Sequence, residues 1–296
     1  MTSRTIDIRG RKVAVAEAGK GTPLLYLHGF ADIHSAAPDF LPFHHALAKN
    51  FRVIAPAHPA CAGSDEDEDI ETMDDLVFHY LEVLDALKLE TVAVAGACVG
   101  GWIAAELASR IPERITKLAL IGASGLYVQD KPIGDLFWEA QPTNGTEFHG
   151  FRALMFGQPE SAAARALFPD RGGDIPRELA RYKAMRFASR IGFSPPYFYN
   201  RKLRDRLARY RSPALMVWGA NDAMVPIEHA RAYADAFPKA RLQTIAGIGH
   251  SPQIEAAEQT AALIARFLGG GNATPATKAR GKAAKRKPAA KRRKKR

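Results

Sequence analysis

The sequence predicts an α/β fold with an eight-stranded, mostly parallel sheet flanked by helices. Short, nearly continuous apolar runs recur along the chain, as strands covered on both faces require. Segments with helical periodicity separate these runs. The chain has 296 residues, 47% of them hydrophobic, which suffices for one such domain carrying an insertion.

The predicted strands follow one another in order along the chain. TIDIR and KVAVAE alternate with period two around Arg9 and Gly10, which predicts an opening antiparallel hairpin. Six further runs predict parallel strands, because their hydrophobicity is continuous rather than alternating. They are PLLYLHG (23–29), FRVIAPAH (51–58), TVAVAGA (91–97), KLALIGA (117–123), ALMVWGA (214–220) and RLQTIAG (241–247).

Helices are predicted between these strands, over 73–89, 102–111, 229–237 and 256–268. Residues 126–210 carry many aromatic residues and no strand pattern, and they are too long for a loop, so we expect a mostly helical insertion. The core is then predicted to comprise residues 1–125 and 211–268. Ligands of open α/β sheets bind beyond the carboxyl ends of the strands, so the insertion is predicted to be a cap over a pocket. A helical lobe without a role in binding is the alternative.

The net charge of +11 comes from the last 28 residues. Twelve of the 42 Lys and Arg residues lie in 269–296, which contains no acid, so the remainder has 30 basic and 31 acidic residues. The segment also lacks large apolar side chains, which predicts a disordered tail. It resembles the Lys/Ala/Pro-rich tails of linker histones and bacterial histone-like proteins. Nonspecific, salt-sensitive binding of nucleic acid or another polyanion is the functional interpretation, and a solubilising extension is the alternative.

Composition also excludes several classes of protein. No apolar run reaches the roughly 18–20 residues of a membrane span, and the N-terminus lacks the apolar region of a secretory signal. Two cysteines cannot form a disulfide framework, so a reducing, cytoplasmic setting is expected. No cluster of His, Cys, Asp or Glu has metal-ligand spacing. We therefore expect neither a metal nor a cofactor, and no oligomeric state is predicted.

A candidate nucleophile follows the fifth predicted strand. Cys98 is the centre of a G-x-C-x-G pattern that runs from Gly96 to Gly100, directly before a helix. Such a sharp strand-to-helix turn needs small residues on both sides and exposes its central side chain. The helix N-terminus aimed at Cys98 favours a thiolate.

Three more patterns lie at predicted strand ends. After the third strand, the turn at His28-Gly29-Phe30 can bring the Phe30 N–H beside the Val99 N–H, and two such donors form an oxyanion hole. Asp222 ends the turn after ALMVWGA, and His250 lies in the glycine-rich loop after RLQTIAG. The order of nucleophile, acid and histidine is that of groups carried on successive strand ends.

These motifs, with His58-Pro59, Gly63-Ser64-Asp65 and Val225-Pro226, make residues 5–268 resemble the α/β-hydrolase fold superfamily. The resemblance is to its capped branch, which includes lactonases, carboxylesterases and carbon–carbon bond hydrolases of aromatic degradation. It implies that Cys98 is the nucleophile, Asp222 the orienting acid and His250 the base. Most members carry Ser at this position, whereas dienelactone hydrolases, which the chain resembles in this residue but not in its cap, carry Cys.

The sequence therefore predicts a hydrolase of activated carboxylic esters, thioesters or enol lactones. A thiolate leaves a tetrahedral intermediate more readily than an alkoxide, so substrates need a good leaving group of their own. The aromatic insertion predicts an apolar or aromatic acyl substrate, and the predicted pocket residues are His28, Gly29, Phe137, Trp138 and Val225. His28 has a second interpretation, in which its ring only holds the turn by hydrogen bonds.

Two alternatives to this hydrolase stay open. The same site could serve an acyltransferase or a carbon–carbon bond hydrolase. The chain could instead be a non-catalytic ligand or redox sensor with a nucleic-acid-binding tail, in which Cys98 pairs with Cys61.

Overall fold

The eight predicted strands form one twisted sheet. The computed structural model describes residues 1–139, 148–170, 175–193 and 197–270. Its strands are β1 (Thr2–Ile8), β2 (Arg11–Ala18), β3 (Pro23–Leu27), β4 (Arg52–Pro56), β5 (Val92–Ala97), β6 (Ile115–Ile121), β7 (Ala214–Gly219) and β8 (Ala240–Ile245). The strand order is β1-β2-β4-β3-β5-β6-β7-β8, with β2 antiparallel to both its neighbours and all other neighbours parallel. The predicted mostly parallel sheet is confirmed.

Burial follows the position of each strand in the sheet. Every residue of the central strands β5 and β7 is buried, because helices cover both faces there. β1 lies at one edge and exposes most of its residues. The continuous apolar runs of the sequence thus mark the strands that are covered on both sides.

Eleven α-helices occur in the described residues. They are α1 (Pro42–Ala48), α2 (Met73–Ala86), α3 (Val99–Arg110), α4 (Leu136–Glu139), α5 (His149–Met155), α6 (Ala162–Leu167), α7 (Ile175–Gly192), α8 (Leu203–Arg206), α9 (Ile227–Ala236), α10 (Pro252–Glu255) and α11 (Ala257–Leu268). Helices α1 and α11 pack together over one face of the sheet, where Phe43 and Ile264 are fully buried. Helices α2, α3 and α9 contribute to the core on the other face.

Two helix boundaries differ from the sequence predictions by three residues, and the others differ by less. Helix α3 begins at Val99 rather than at residue 102, because Cys98 already turns the chain out of β5. Helix α2 ends at Ala86, three residues before the predicted end, and Lys88 adopts a φ of 56°, which a continuing helix does not permit.

The insertion is largely helical where the structure describes it. Residues 126–210 contain α4 to α8 and a short 3₁₀ helix at Leu207–Arg209. Phe151 and Phe187 of this segment are buried in the same core cluster as α2 and α3. The division of the chain at residues 126 and 211 stays a prediction.

The predicted basic tail lies almost entirely outside the described residues, which end at Gly270. Its disorder and its binding of polyanions therefore stay predictions. Within the described ranges, no helix is both long enough and apolar enough to cross a membrane.

Candidate active site

Cys98 occupies a strained turn between β5 and α3. Its φ of 52° and ψ of −119° lie outside the regions that non-glycine residues normally adopt. The turn is held by hydrogen bonds from the Cys98 N–H to the Ile121 carbonyl, 2.9 Å, and from the Ser124 N–H to the Cys98 carbonyl, 3.3 Å. Strain of this kind persists where surrounding structure enforces it, and it is concentrated at functional sites.

The glycines around Cys98 are required by close backbone contacts. A Cβ on Gly96 would lie 2.3 Å from the Gly100 carbonyl oxygen. A Cβ on Gly100 would lie 2.2 Å from the Leu27 carbonyl oxygen and 2.5 Å from that of His28. The G-x-C-x-G pattern therefore reflects the approach of α3 to the end of β3.

We expect Gly100→Ala to lower the free energy of unfolding by roughly 2–4 kcal/mol, because two backbone carbonyls must move to admit the new methyl group. Gly63→Ala is the matched control, since a Cβ there meets only Ala14 Cβ, at 3.5 Å. Urea unfolding of both variants beside the wild type measures the difference. Equal midpoints for the two variants would contradict the close approach of α3 to β3.

Asp222 lies in the turn after β7, and its carboxylate organises that turn. Oδ1 accepts hydrogen bonds from the Met224 and Val225 N–H groups at 3.0 and 2.7 Å. The Trp218 indole donates to the Val225 carbonyl at 2.8 Å and closes the turn from β7. Asp222 is thereby held buried, in one orientation.

His250 lies in the loop after β8 and contacts Asp222. Its Nδ1 is 2.9 Å from Oδ2 and 3.1 Å from Oδ1 of the carboxylate, so Nδ1–H donates to Asp222. The buried Nε2 makes no hydrogen bond of ordinary geometry to the described residues. Cys98 lies close enough to the His250 ring to raise its pKa. The three side chains predicted to act together therefore meet at one place.

The pKa of His250 reflects this buried setting. Desolvation lowers it, but the Asp222 carboxylate and the Cys98 sulfur raise it more, and the resulting pKa is about 10. An imidazolium held between a carboxylate and a sulfur is suited to stabilise a thiolate. Cys61, the other thiol, differs, since burial raises its pKa to about 12.

The turn after β3 lies against the Cys98 turn. A Cβ on Gly29 would be 2.9 Å from Cys98 Cβ. The buried Phe30 follows it directly. Val99 is the first residue of α3, so its N–H has no partner within the helix. The two N–H groups predicted to form the oxyanion hole thus belong to segments in contact around Cys98.

A known family model matches most of this chain. The model for the α/β hydrolase fold matches residues 22–257, more than three quarters of the chain. The chain belongs to the α/β-hydrolase fold family.

Relatives in this family include hydrolases and an esterase. The chain is 29% identical over 278 residues to a 2-hydroxymuconate semialdehyde hydrolase from Pseudomonas sp. strain CF600, covering 90% of this chain and 93% of that one. It is 28% identical over 274 residues to a strigolactone esterase from Arabidopsis thaliana, covering 86% and 95%. The protein is therefore an α/β hydrolase, an enzyme of the hydrolase class.

Two solved structures share the fold. A meta-cleavage product hydrolase from Pseudomonas fluorescens IP01 superposes with a TM-score of 0.70 at 23% identity, covering 90% of this chain and 97% of that one. A serine hydrolase from the aromatic-hydrocarbon-degrading bacterium Cycloclasticus zankles gives a TM-score of 0.73 at 21% identity, covering 91% and 98%.

In this α/β hydrolase, His28 forms hydrogen bonds that hold the turn after β3 against His58. Its Nε2 accepts a hydrogen bond from the His58 N–H at 3.0 Å, and His58 Nε2–H donates to the His28 carbonyl at 2.9 Å. Burial, followed by the neighbouring His58, lowers the pKa of His28 well below its usual value. These contacts favour the second interpretation of His28, in which the ring is neutral and holds the turn.

The other predicted pocket residues fall in different places. Phe137 is partly buried and stacks on Phe198 at 5.7 Å, and Phe198 meets the Phe30 ring at 6.4 Å. Val225 is fully buried in the Asp222 turn. Trp138 is 69% exposed, because Leu136 and Phe137 take the inward positions of the short helix α4, so the structure does not bring it to the site.

A cavity of about 260 Å³ opens between the turn after β3 and α7. Its lining is mostly apolar, with Ala36, Ala37, Pro38, Ala62, Pro176 and Ala180 beside His34, Ser35 and Arg177. Ser35 Oγ donates to the Gly29 carbonyl at 2.6 Å, which connects this wall to the Cys98 site. The sequence contained no motif for this cavity, since its two walls are more than 100 residues apart.

The acidic run 65–69 contains carboxylates that form ion pairs with arginines. Arg186 and Arg190 of α7 both contact Glu66 Oε1, at 2.8 and 2.9 Å, and Arg11 contacts Asp67 at 3.1 Å. The loop thus joins the insertion to the core. No set of three or more His, Cys, Asp or Glu in the described part of the chain is arranged to hold a metal ion.

Proposed function

We propose that the protein hydrolyses activated carboxylic esters, thioesters or enol lactones through a thioester of Cys98. One observation carries this proposal. Cys98 lies at a positive-φ turn before α3, beside His250, whose other ring nitrogen is held by Asp222 at 2.9 Å. This is the arrangement of a nucleophile, a base and an orienting acid.

Transfer of the thiol proton to His250 Nε2 gives an ion pair of thiolate and imidazolium, and in the first half of the reaction the Cys98 thiolate attacks the acyl carbon. The N–H groups of Phe30 and Val99 donate to the oxyanion that forms. Collapse of the tetrahedral intermediate breaks the bond to the leaving group, which takes the proton from His250. The acyl group is then bound to sulfur as a thioester.

In the second half, water replaces the leaving group. His250 removes a proton from water as it attacks the thioester, and the same two N–H groups hold the oxyanion. Collapse breaks the carbon–sulfur bond, and the acid leaves. Asp222 keeps the Nδ1–H tautomer throughout, so that Nε2 is free to accept each proton.

Sulfur at this position favours particular substrates. The intermediate returns to reactants whenever thiolate is the better leaving group, so thioesters, aryl esters and enol lactones should react faster than alkyl esters. The apolar cavity beside the turn after β3 suits an apolar acyl or alcohol portion.

Hydrolysis of a carbon–carbon bond at the same site is the second candidate. The 29% identity to a 2-hydroxymuconate semialdehyde hydrolase favours it. Acyl transfer would also use the same thioester. Product analysis with and without an added alcohol or thiol separates acyl transfer from hydrolysis.

The test is a burst assay with p-nitrophenyl acetate. We expect one equivalent of p-nitrophenol per active protein before the steady state, together with an acetyl adduct on the peptide that contains Cys98. Peptide mapping distinguishes Cys98 from Cys61. Absence of burst and adduct, in protein whose Cys98 is still alkylated by iodoacetamide, would contradict the proposed hydrolysis of activated esters.

A further inference from the structure

Glu255, at the end of α10, connects the loop that carries His250 to the insertion. Its Oε1 accepts a hydrogen bond from the Gly249 N–H at 2.9 Å, and its Oε2 accepts one from the Gly157 N–H at 2.8 Å. Gly249 directly precedes His250, whereas Gly157 follows α5 in the insertion. One carboxylate therefore joins backbone segments that are 92 residues apart in the chain.

The two segments also touch directly. A Cβ on Gly157 would lie 2.7 Å from the Gly247 carbonyl oxygen and 2.9 Å from the Gly249 nitrogen. On the opposite side, a Cβ on Gly219 at the end of β7 would lie 1.9 Å from the Gly249 carbonyl oxygen. The backbone before His250 thus packs between the insertion, at Gly157, and the end of β7, the strand that leads to Asp222.

Glu255 is partly buried in this contact. Its carboxylate accepts hydrogen bonds from backbone N–H groups, and no ion pair with a cation is found for it among the described residues. Burial raises its pKa, while N–H groups of Gly249 and Gly157 act in the opposite direction. Two donors that converge on two carboxylate oxygens fix the relative position of the segments that carry them.

We propose that Glu255 is a positioning residue that sets His250 against Cys98 and Asp222 only when the insertion is seated on the core. This inference rests on the proposed function for the role of His250. The insertion would then do more than cover the site, because its contact at Gly157 holds the backbone from which the His250 side chain extends.

Glu255→Gln tests the proposal with an isosteric side chain. An amide offers one acceptor oxygen, so either Gly249 or Gly157 loses its partner and faces an N–H₂ donor instead. We expect the rate constant of Cys98 alkylation by iodoacetamide, per active site, to fall about 10- to 100-fold, as displaced catalytic groups do. Glu258→Gln is the matched control, since Glu258 is exposed on α11 three residues away.

Three further measurements separate positioning from general destabilisation. NMR titration of labelled histidine should place the His250 transition at lower pH in Glu255→Gln, because the ring moves away from Asp222. Gly157→Ala, which displaces the insertion side of the contact, should give the same effects. The Glu255→Gln/Gly157→Ala double variant should lose little more than either single variant, as expected for residues acting through one contact.

The outcomes for Glu255 and for the proposed function are distinct. If Glu255→Gln matches Glu258→Gln in alkylation rate and His250 titration, the positioning role is overturned, whatever the change in melting temperature. If the effects of Glu255→Gln and Gly157→Ala on the alkylation rate constant were fully additive in the double variant, the coupling of Glu255 to the insertion would be overturned. A wild type without an acyl burst would overturn the proposed hydrolysis, and alkylation and NMR would still measure whether Glu255 positions His250.

Discussion

Replacement of Cys98 by alanine is expected to abolish the acyl adduct and to lower kcat/KM for p-nitrophenyl acetate by at least about 10⁴-fold. Losses of this size accompany removal of the nucleophile from a triad, because the remaining groups act as a unit with it. The fold should persist, since the side chain is small and the turn is held by backbone hydrogen bonds to Ile121 and Ser124. Steady-state kinetics and intact mass measure both effects.

Cys61→Ala is the matched control for this prediction. Cys61 is also a buried free thiol, but its pKa is raised to about 12 by burial, so it offers almost no thiolate at neutral pH. We expect its replacement to leave the burst amplitude unchanged. A Cys98→Ala variant that retains wild-type kcat/KM would show that another group attacks the substrate.

Asp222→Asn is expected to lower kcat by about 10³- to 10⁴-fold, with a smaller effect on stability. The N–H groups of Met224 and Val225 hold Oδ1, so the asparagine oxygen should take that position and direct its N–H₂ at His250. His250 Nδ1 must then accept rather than donate. The ring proton moves to Nε2, which faces Cys98 and can no longer accept the thiol proton.

The same substitution changes the pH dependence of stability. The His250 pKa of about 10 exceeds its ordinary value of 6.5, so the Asp222 contact stabilises the fold fully below pH 6.5 and progressively less as the pH rises to 10. Asp222→Asn should weaken this dependence, because the Asp222 charge is gone and only the Cys98 sulfur still raises the pKa of His250. Urea unfolding from pH 6 to pH 10 measures it.

Asp235→Asn, on the exposed side of α9, controls for a general effect of removing one carboxylate. It should retain wild-type kcat and the wild-type loss of stability above pH 6.5. If Asp222→Asn kept most of the activity, the orientation of His250 by Asp222 would not matter to the reaction. If its stability fell with pH as steeply as the wild type, the raised pKa of His250 would have another cause.

Local patterns predicted the sheet correctly. The candidate catalytic residues Cys98, Asp222 and His250 were chosen from equally local patterns, and their roles stay predictions. A strand covered on both faces must be apolar throughout, so β3 to β7 could be recognised from composition over five to seven residues. The glycines around Cys98 are similarly local, since the turn itself excludes larger side chains. Asp222 and His250 could be chosen as candidate partners of Cys98 because parallel strands bring their carboxyl ends to one edge of the sheet.

Other features depended on partners that are distant in the chain. Phe137 and Trp138 are adjacent aromatic residues, and nothing in their sequence says which one turns inward; packing on Phe198 decides it. The arginine partners of Glu66 in the acidic run are Arg186 and Arg190 of α7, which lie at least 120 residues away in the chain.

Glu255 shows the difference most clearly. In the sequence it is one acid at the end of a short helix, without a motif, and its two partners are peptide N–H groups that any residue possesses. The backbone conformation of a strand or a sharp turn is set by neighbouring residues, and it can be inferred from them. Which distant backbone groups meet a side chain is set by how the insertion packs on the core, and only the tertiary structure contains that information.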